Sequence, residues 1–359
     1  MLSGKNHSER KSGRCFVTQS HSQRVTRSDV AKEAGTSVAV VSYVINNGPR
    51  PVAEATRQRV LQAIKKTGYR PNGIARALAS GSTQTYGLVA PDISNPFIAS
   101  MAHALQHEAF ADGKVLLLGD AGDSSCRERE LINNMLHRQV DGLIYTSVDR
   151  HPYINLIQES GTPCVMLDRV DPGLNVSVIQ VDEQLAAMQV TQHLIDHGYR
   201  DIGIICGPRE MLNTQDRIRG WQQALEASSL VVNPSWIFST NYTRAGGYEA
   251  TKRMLEHQLP RALFATNEQQ ALGCLRALAE HGLRVPEDVA LVCFNATQES
   301  AYNVPSLTAV RQPVDKMARA AIDMLKNWDG EVRRVEFEFY LRTGESCGCQ
   351  GHEVQPEKK

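Results

Sequence analysis

A chain of 359 residues exceeds what one ordinary hydrophobic core organises and points to two or three folding units. Hydrophobic content of 42% with 22% charged residues fits a globular chain and excludes a largely disordered one. The formal net charge of +0 hides an asymmetry: residues 1–82 hold 14 Lys+Arg against 4 Asp+Glu, and the rest 25 against 35, so one end attracts phosphate while the acidic bulk limits indiscriminate contact.

Residues 1–24 are rich in Ser, Arg, Lys and His, lack the apolar block of a secretory signal, and read as a disordered basic tail. No stretch has the length of an apolar membrane-spanning helix. The eight cysteines are scattered, Cys206 and Cys293 inside apolar runs as buried free thiols are, which points to a reducing, cytoplasmic setting.

From residue 24 to about 82 the pattern is helical and broken by turn residues. Thr26 is placed to cap a helix over 27–34 that Gly35 ends, and Ser37 to cap a second running to about residue 45. Asn46-Asn47-Gly48-Pro49 closes that helix; a third spans about 53–67 and stops at Gly68. Two short helices about a Gly-containing turn, braced by a third, make a helix-turn-helix, assigned to 25–70. At about 100° per residue, Val40, Val41, Val44 and Ile45 fall on one side of the second helix, toward Val60 and Ile64 of the third. Val38, Ala39, Ser42, Tyr43 and Asn46 fall on the other. In a DNA groove such a face has a use: small apolar groups touch thymine methyls, Tyr43 offers a ring and a hydroxyl, and Ser42 and Asn46 bond phosphates or base edges. Packing at the domain's edge is the alternative for Val38.

The run Val25-Thr26-Arg27-Ser28-Asp29-Val30-Ala31, then Ala34-Gly35-Thr36-Ser37 and Val41-Ser42-Tyr43-Val44-Ile45-Asn46, resembles the DNA-binding headpiece of the LacI/GalR family of bacterial repressors. Thr56-Arg57, Val60, Ile64, Gly68-Tyr69-Arg70-Pro71-Asn72 and Ala75-Arg76-Ala77-Leu78 continue the match. The resemblance implies that Thr26, Arg27, Ser37, Asn72, Ala75 and Arg76 join the reading face as DNA contacts. It also implies that 72–79 is a hinge helix which orders on operator DNA, with Leu78 wedged into the minor groove opposite the same residue of a second subunit. Independently, Pro71 and Gly73 make a poor start for a helix and about eight residues are too few for one to be stable alone, so this segment folds only with support. Without the headpiece beside it, 71–83 reads as an ordinary linker.

After Ser80-Gly81-Ser82-Thr83 apolar strands alternate with helices. Strands at 86–89, 115–118, 142–145 and 164–167 form one set, and 178–181, 202–206, 262–265 and 290–294 a second, with helices such as 98–111, 127–137, 183–197 and 216–227 between. Such α/β units imply parallel sheets covered on both faces, in two lobes over 84–349, with 350–359 a flexible tail. Ligands of open parallel sheets sit beyond the carboxyl ends of strands. Those positions hold Asn95 and Phe97, Thr146, Asp168-Arg169, Asn267-Glu268 and Asn295.

This arrangement resembles the periplasmic-binding-protein-like effector domain of the same family, whose two lobes close on a sugar or comparable metabolite. The resemblance implies Arg217, three places before Gly220-Trp221, as the effector arginine, Asp168 as a polar ligand residue, Asn267 as an amide contact and Tyr242 as a stacking aromatic. Hydroxyls suit Asp, Asn and Arg, and a sugar's apolar face suits Tyr or Phe. Plainer roles stand beside these: Asp168 bracing Arg169, Asn267 capping the helix at Gln269, Tyr242 as interlobe packing. An arginine that begins a helix, against the dipole, argues that a ligand or a carboxylate holds Arg217 there. Asn295 stands where many relatives carry an acid, with Cys293 and Ala296 also departing, so a different polyol, a nucleoside or no effector at all stays open beside a conventional sugar.

The chain has no HExxH and no phosphate loop ending in Lys-Ser or Lys-Thr. Cys347-Gly348-Cys349 with His352 supplies three possible metal ligands and no evident fourth, and reads as a flexible tail. Glu128 and Glu130 read as part of a solvated helix face. No catalytic residue, metal or cofactor is expected. The reading is a DNA-binding regulator, most commonly a repressor, that holds a palindromic double-stranded operator as a homodimer under the control of a small-molecule effector. The ending lacks a heptad leucine pattern, which argues against a tetramer. The other class, a sugar-binding module or sugar-converting enzyme, leaves the first 82 residues without a purpose.

Overall fold

The structure is a computed structural model that describes residues 25–46, 48, 50–167 and 169–349. It divides into two compact units, one ending at Ala79 and one beginning at Ser80.

The first unit holds α1 (Arg27–Ala34), α2 (Val38–Asn46), α3 (Glu54–Thr67) and α4 (Gly73–Ser80). Thr26 and Asp29 form a reciprocal capping box at the start of α1, and Gly35 at φ 60° ends it in the left-handed conformation that a side chain disfavours. Val30, Ala31, Ala34, Val41, Val44, Val60, Ala63 and Tyr69 make its core, with Ile45 and Ile64 packed against it. Val40 is only half-buried, so the inward stripe of α2 is narrower than its sequence suggests. The segment expected at 72–79 is helical one residue later, over Gly73–Ser80.

Among the described residues of the second unit, twelve strands form two six-stranded sheets. The chain runs β1 (Thr85–Ala90), α5 (Pro96–Ala111), β2 (Val115–Asp120), α6 (Ser125–His137), β3 (Gly142–Tyr145), α7 (Ile154–Glu159), β4 (Cys164–Leu167) and β5 (Ser177–Val181). It continues through α8 (Glu183–Asp196), β6 (Ile202–Cys206), α9 (Leu212–Ala227), β7 (Ile237–Ser239), α10 (Arg244–Leu255), β8 (Ala262–Ala265), α11 (Glu268–Glu280) and β9 (Ala290–Phe294). It closes with α12 (Glu299–Tyr302), β10 (Thr308–Arg311), α13 (Val314–Lys326), β11 (Arg334–Phe337) and β12 (Tyr340–Arg342). The first sheet, ordered β11-β5-β4-β3-β1-β2, is parallel; the second, β12-β10-β9-β8-β6-β7, is parallel except where β12 runs against β10.

Two expectations are corrected. The strand at 178–181, grouped with the second set, pairs with β4 through Val165↔Ser177 and Leu167↔Ile179 and so belongs to the first lobe. Order along the chain is not order in the sheet: the chain passes between lobes after β5, after β10 and after β11. α13 thereby returns to the first lobe, where Met317, Ala321 and Leu325 join its core. Glu128, expected on a solvated face, is fully buried. Its carboxylate accepts from the Val148 amide at 2.6 Å, the Ser147 hydroxyl at 3.0 Å and the Tyr145 hydroxyl, which satisfies a charge that the core otherwise rejects.

In the second lobe α9 crosses α8 at Gly220, where an added Cβ would overlap the carbonyl oxygen of Gln184. Trp221 beside it is fully buried. None of the helices of the described residues is long and apolar enough to cross a membrane.

Candidate functional site

In the first unit the outer side of α2 presents Val38, 45% exposed, with exposed Ala39 and Asn46 and half-buried Ser42 and Tyr43. Asn46 donates to the Ser42 hydroxyl at 3.3 Å, one helical turn apart. The Tyr43 ring lies beside Gly48, where a Cβ would collide with it. Ser37 accepts from the Val40 amide at 3.3 Å and so caps α2. The Thr26 hydroxyl and amide hold the Asp29 carboxyl below the usual carboxylate range. Arg27 donates to the Tyr69 hydroxyl at 3.2 Å. On α4 the Arg76 amide donates to the Asn72 carbonyl, Ala75 and Arg76 are exposed, and Leu78 is 89% exposed. An exposed leucine of that degree on a short helix has no packing role within its own unit.

In the second unit a cavity of about 370 Å³ opens beyond the carboxyl ends of the strands, a size usual for small-molecule sites. Asn95, Phe97 and Thr146 line it from the first lobe, and Arg217, Tyr242, Asn267 and Asn295 from the second. Asp168 lies outside the described residues.

The amides are partly committed. Asn95 caps α5, accepting from the Phe97 amide at 3.0 Å. Asn267 takes its plainer role: its oxygen caps α11 from the Gln270 amide at 2.7 Å, and its amide donates to the Tyr242 carbonyl at 3.0 Å. Asn295, at φ 67° just past β9, accepts from Gln312 at 2.7 Å. The Tyr242 hydroxyl meets Thr214 at 2.7 Å, and its ring lies against Gly207, which leaves no room there for a Cβ.

Arg217 requires a correction. α9 begins at Leu212, so Arg217 sits in its second turn and the argument from a helix start does not apply. Arg217 is 4% exposed; its guanidinium donates to Glu183 at 2.5 Å and to the Thr266 carbonyl at 2.5 Å, and lies 4.0 Å from the Phe294 ring centroid. A carboxylate does hold it, and the carboxylate belongs to the protein.

Sequence reasoning did not find Glu183, Asp123, Gln180 or Gln312, all of which line the cavity. Asp123, at φ 54°, follows the end of β2, a position the strand-end rule reaches once β2 is drawn to Asp120. Burial, reinforced by Asp92 and Asp120, pushes its carboxyl up. Asp92, Asp123, Glu183 and Glu210 therefore line the cavity against Arg217. Beside it, Arg169 of the first lobe pairs with Asp216 of α9 at 2.6 Å, an interlobe strap. At the chain's other end Cys347 and Cys349, expected in a flexible tail, are ordered against α8 and meet His193 and His197; His352 lies outside the described residues.

Residues 26–72 match the profile of bacterial regulatory proteins of the lacI family, and 191–347 that of a periplasmic binding protein-like domain. Catabolite control protein A of Priestia megaterium is 35% identical over 307 residues, spanning 85% of this chain and 92% of that protein. The HTH-type transcriptional repressor PurR of Haemophilus influenzae is 33% identical over 303 residues, 84% and 90% of the two chains. A solved complex of the transcriptional regulator CelR with cellobiose aligns with a TM-score of 0.68 at 30% identity, over 90% of this chain and all of that one. The lac repressor dimer bound to operator and the anti-inducer ONPF aligns at 0.79 and 24% identity over 90% and 99%, a likeness of fold.

Proposed function

The chain belongs to the lacI family of bacterial regulatory proteins, a transcriptional repressor and not an enzyme, and we propose that a neutral polyhydroxylated ligand in its cleft controls its grip on palindromic operator DNA. The observation that carries the ligand class is the charge of the cavity. Four carboxylates line it against one guanidinium that Glu183 already engages. A phosphorylated or carboxylated ligand meets net repulsion there, whereas the hydroxyls of a sugar, polyol or nucleoside meet acceptors and amides. Phe97 and Tyr242 offer rings for an apolar face. The cellobiose bound by CelR, a neutral sugar, supports the same class.

On the DNA side, Val38, Ala39, Ser42, Tyr43 and Asn46 read base edges, while Thr26, Arg27, Ser37, Asn72, Ala75 and Arg76 fix register on the backbone and Leu78 wedges between base steps. The functional divisions are then 25–70 for reading, 71–83 for the hinge and 84–349 for the effector. Two such chains form a homodimer. Exposed Phe110 on α5 and Val115 and Leu118 on the edge strand β2 give the second unit an apolar patch and an unpaired sheet edge for a two-fold partner. A protein that reads the chromosome in this way works in the bacterial cytoplasm.

The test is a thermal-shift panel on the full chain with neutral mono- and disaccharides, polyols and nucleosides, each beside its phosphate ester. A saturable rise in Tm with a neutral compound and none with its phosphate is expected. Stabilisation by phosphate esters alone contradicts the ligand class.

A further inference from the structure

At the far end of α8 the structure gathers four side chains that neither the cleft nor the DNA-reading face uses. His193 and His197 are four residues apart, so they project from one helix face; their ring centroids are 4.7 Å apart. Cys347 and Cys349 come from the stretch just past β12. Gly348 between them has φ 98°, the left-handed region that favours glycine, and this turn sends both thiols toward the imidazoles.

We propose that His193, His197, Cys347 and Cys349 form a structural zinc site that staples the C-terminal stretch to α8. Nε2 of His193 lies 3.2 Å from Sγ of Cys347 and 3.6 Å from Sγ of Cys349, and Nε2 of His197 lies 3.1 Å from Sγ of Cys349. All four ligand atoms fall within 4.8 Å of one another. Zn–S and Zn–N bonds of ordinary length at tetrahedral angles separate sulfur from nitrogen by about 3.6 Å, so the four atoms already outline the coordination polyhedron. Two thiolates and two imidazoles are the donor set that selects zinc, and four protein ligands leave no open position for catalysis.

The surroundings support the sulfur ligands. Cys347 is fully buried among core residues of the second lobe, and the Thr308 hydroxyl lies 2.9 Å from its Sγ, placed to donate to a thiolate. Binding a dication there displaces two thiol protons to solvent and leaves a site of zero net charge, which suits a half-buried position. The staple closes a loop of about 150 residues between α8 and the chain's end, so ordering it with metal stabilises the second lobe against local opening.

The experiment uses the full chain, purified under reducing conditions, stripped with chelator and titrated with Co²⁺ alone. Absorption should saturate at about one cobalt per chain, with the thiolate-to-cobalt charge-transfer and intense visible bands of a tetrahedral site, and Zn²⁺ should bleach them. His197→Gln and Cys349→Ser, whose side chains are not fully buried, should each abolish those bands while the far-UV circular dichroism stays unchanged; Cys126→Ser should keep them. Zn²⁺ should raise the Tm of the unaltered chain and not that of His197→Gln. A weak octahedral spectrum, or equal cobalt binding by the two ligand variants, overturns the site and leaves the four side chains as hydrogen-bonded neighbours.

Discussion

Arg217 shows how a single residue's surroundings alter its expected behaviour. Its pairing with Glu183 inside the protein means that Arg217→Ala strands a buried carboxylate, a loss of about 3–5 kcal/mol, in addition to any loss of ligand. The double variant Arg217→Met with Glu183→Leu should recover most of that stability without recovering the effector response; urea unfolding and ligand titration of the two variants separate the roles. Recovery of the response in the double variant contradicts a ligand role for the arginine. On the reading face, Tyr43→Ala should change which operator bases are preferred by about 1–3 kcal/mol, while Ser42→Ala weakens all sequences alike. Equal loss on specific and random duplexes for Tyr43→Ala would assign that ring to the backbone instead. Asn95, Thr146, Asn267 and Asn295 were legible because a strand's carboxyl end points at the cleft. Glu183, two residues past β5, falls under the same rule but reads in the sequence only as the start of a helix, and its pairing with Arg217 of α9 appears only once the two helices are packed.

The elements themselves were legible where the pattern was long or fully apolar. β3, β4, β6, β8 and β9 are buried runs of four or five residues with few polar interruptions. β11 and β12 escaped notice because they are short edge strands mixing Arg, Glu and Tyr with their apolar residues, and such strands acquire their conformation from the sheet they join. Under the proposed function, α4 and the chain just beyond it are the element through which regulation acts. Leu78→Ala should weaken operator binding and DNA bending while the ligand affinity of the free protein is retained; calorimetry and a bending assay check both, and an unchanged bend removes the wedge. Asp141 anchors that connection: it accepts from the Ser82 hydroxyl at 2.5 Å, the Thr83 amide at 2.8 Å and Lys114 at 2.5 Å. Burial alone pushes its carboxyl up, but Lys114, Ser82 and Thr83 outweigh burial and hold it below the usual range. A folded pKa below the unfolded value of about 3.9 means that this stability is present above that pH and is lost as pH falls through the lower folded value. Asp141→Asn should cost about 1.5–3 kcal/mol at neutral pH and flatten the acid limb of the stability profile. An acid limb identical to that of the unaltered chain removes the anchor.

For the whole molecule, control of DNA by the cleft is a coupling free energy and therefore reciprocal. Whatever factor the ligand applies to operator affinity, operator applies to ligand affinity. Under the proposed function, lobe closure is the two-state element on which a ligand acts, across three passages of chain between lobes and the Arg169–Asp216 strap beside the cavity. Charge divides the labour along the chain, a cationic reading end against an acidic body, which keeps nonspecific attraction local to the headpiece. The most direct test is selection of duplexes from random DNA by the full chain, followed by anisotropy titration of the selected site with and without the stabilising ligand from the thermal panel. A two-fold-symmetric site that binds two chains, with affinity falling steeply in salt and shifting with the ligand, is the expected result. Selection that enriches no sequence, or an affinity indifferent to every ligand that stabilises the cleft, contradicts it.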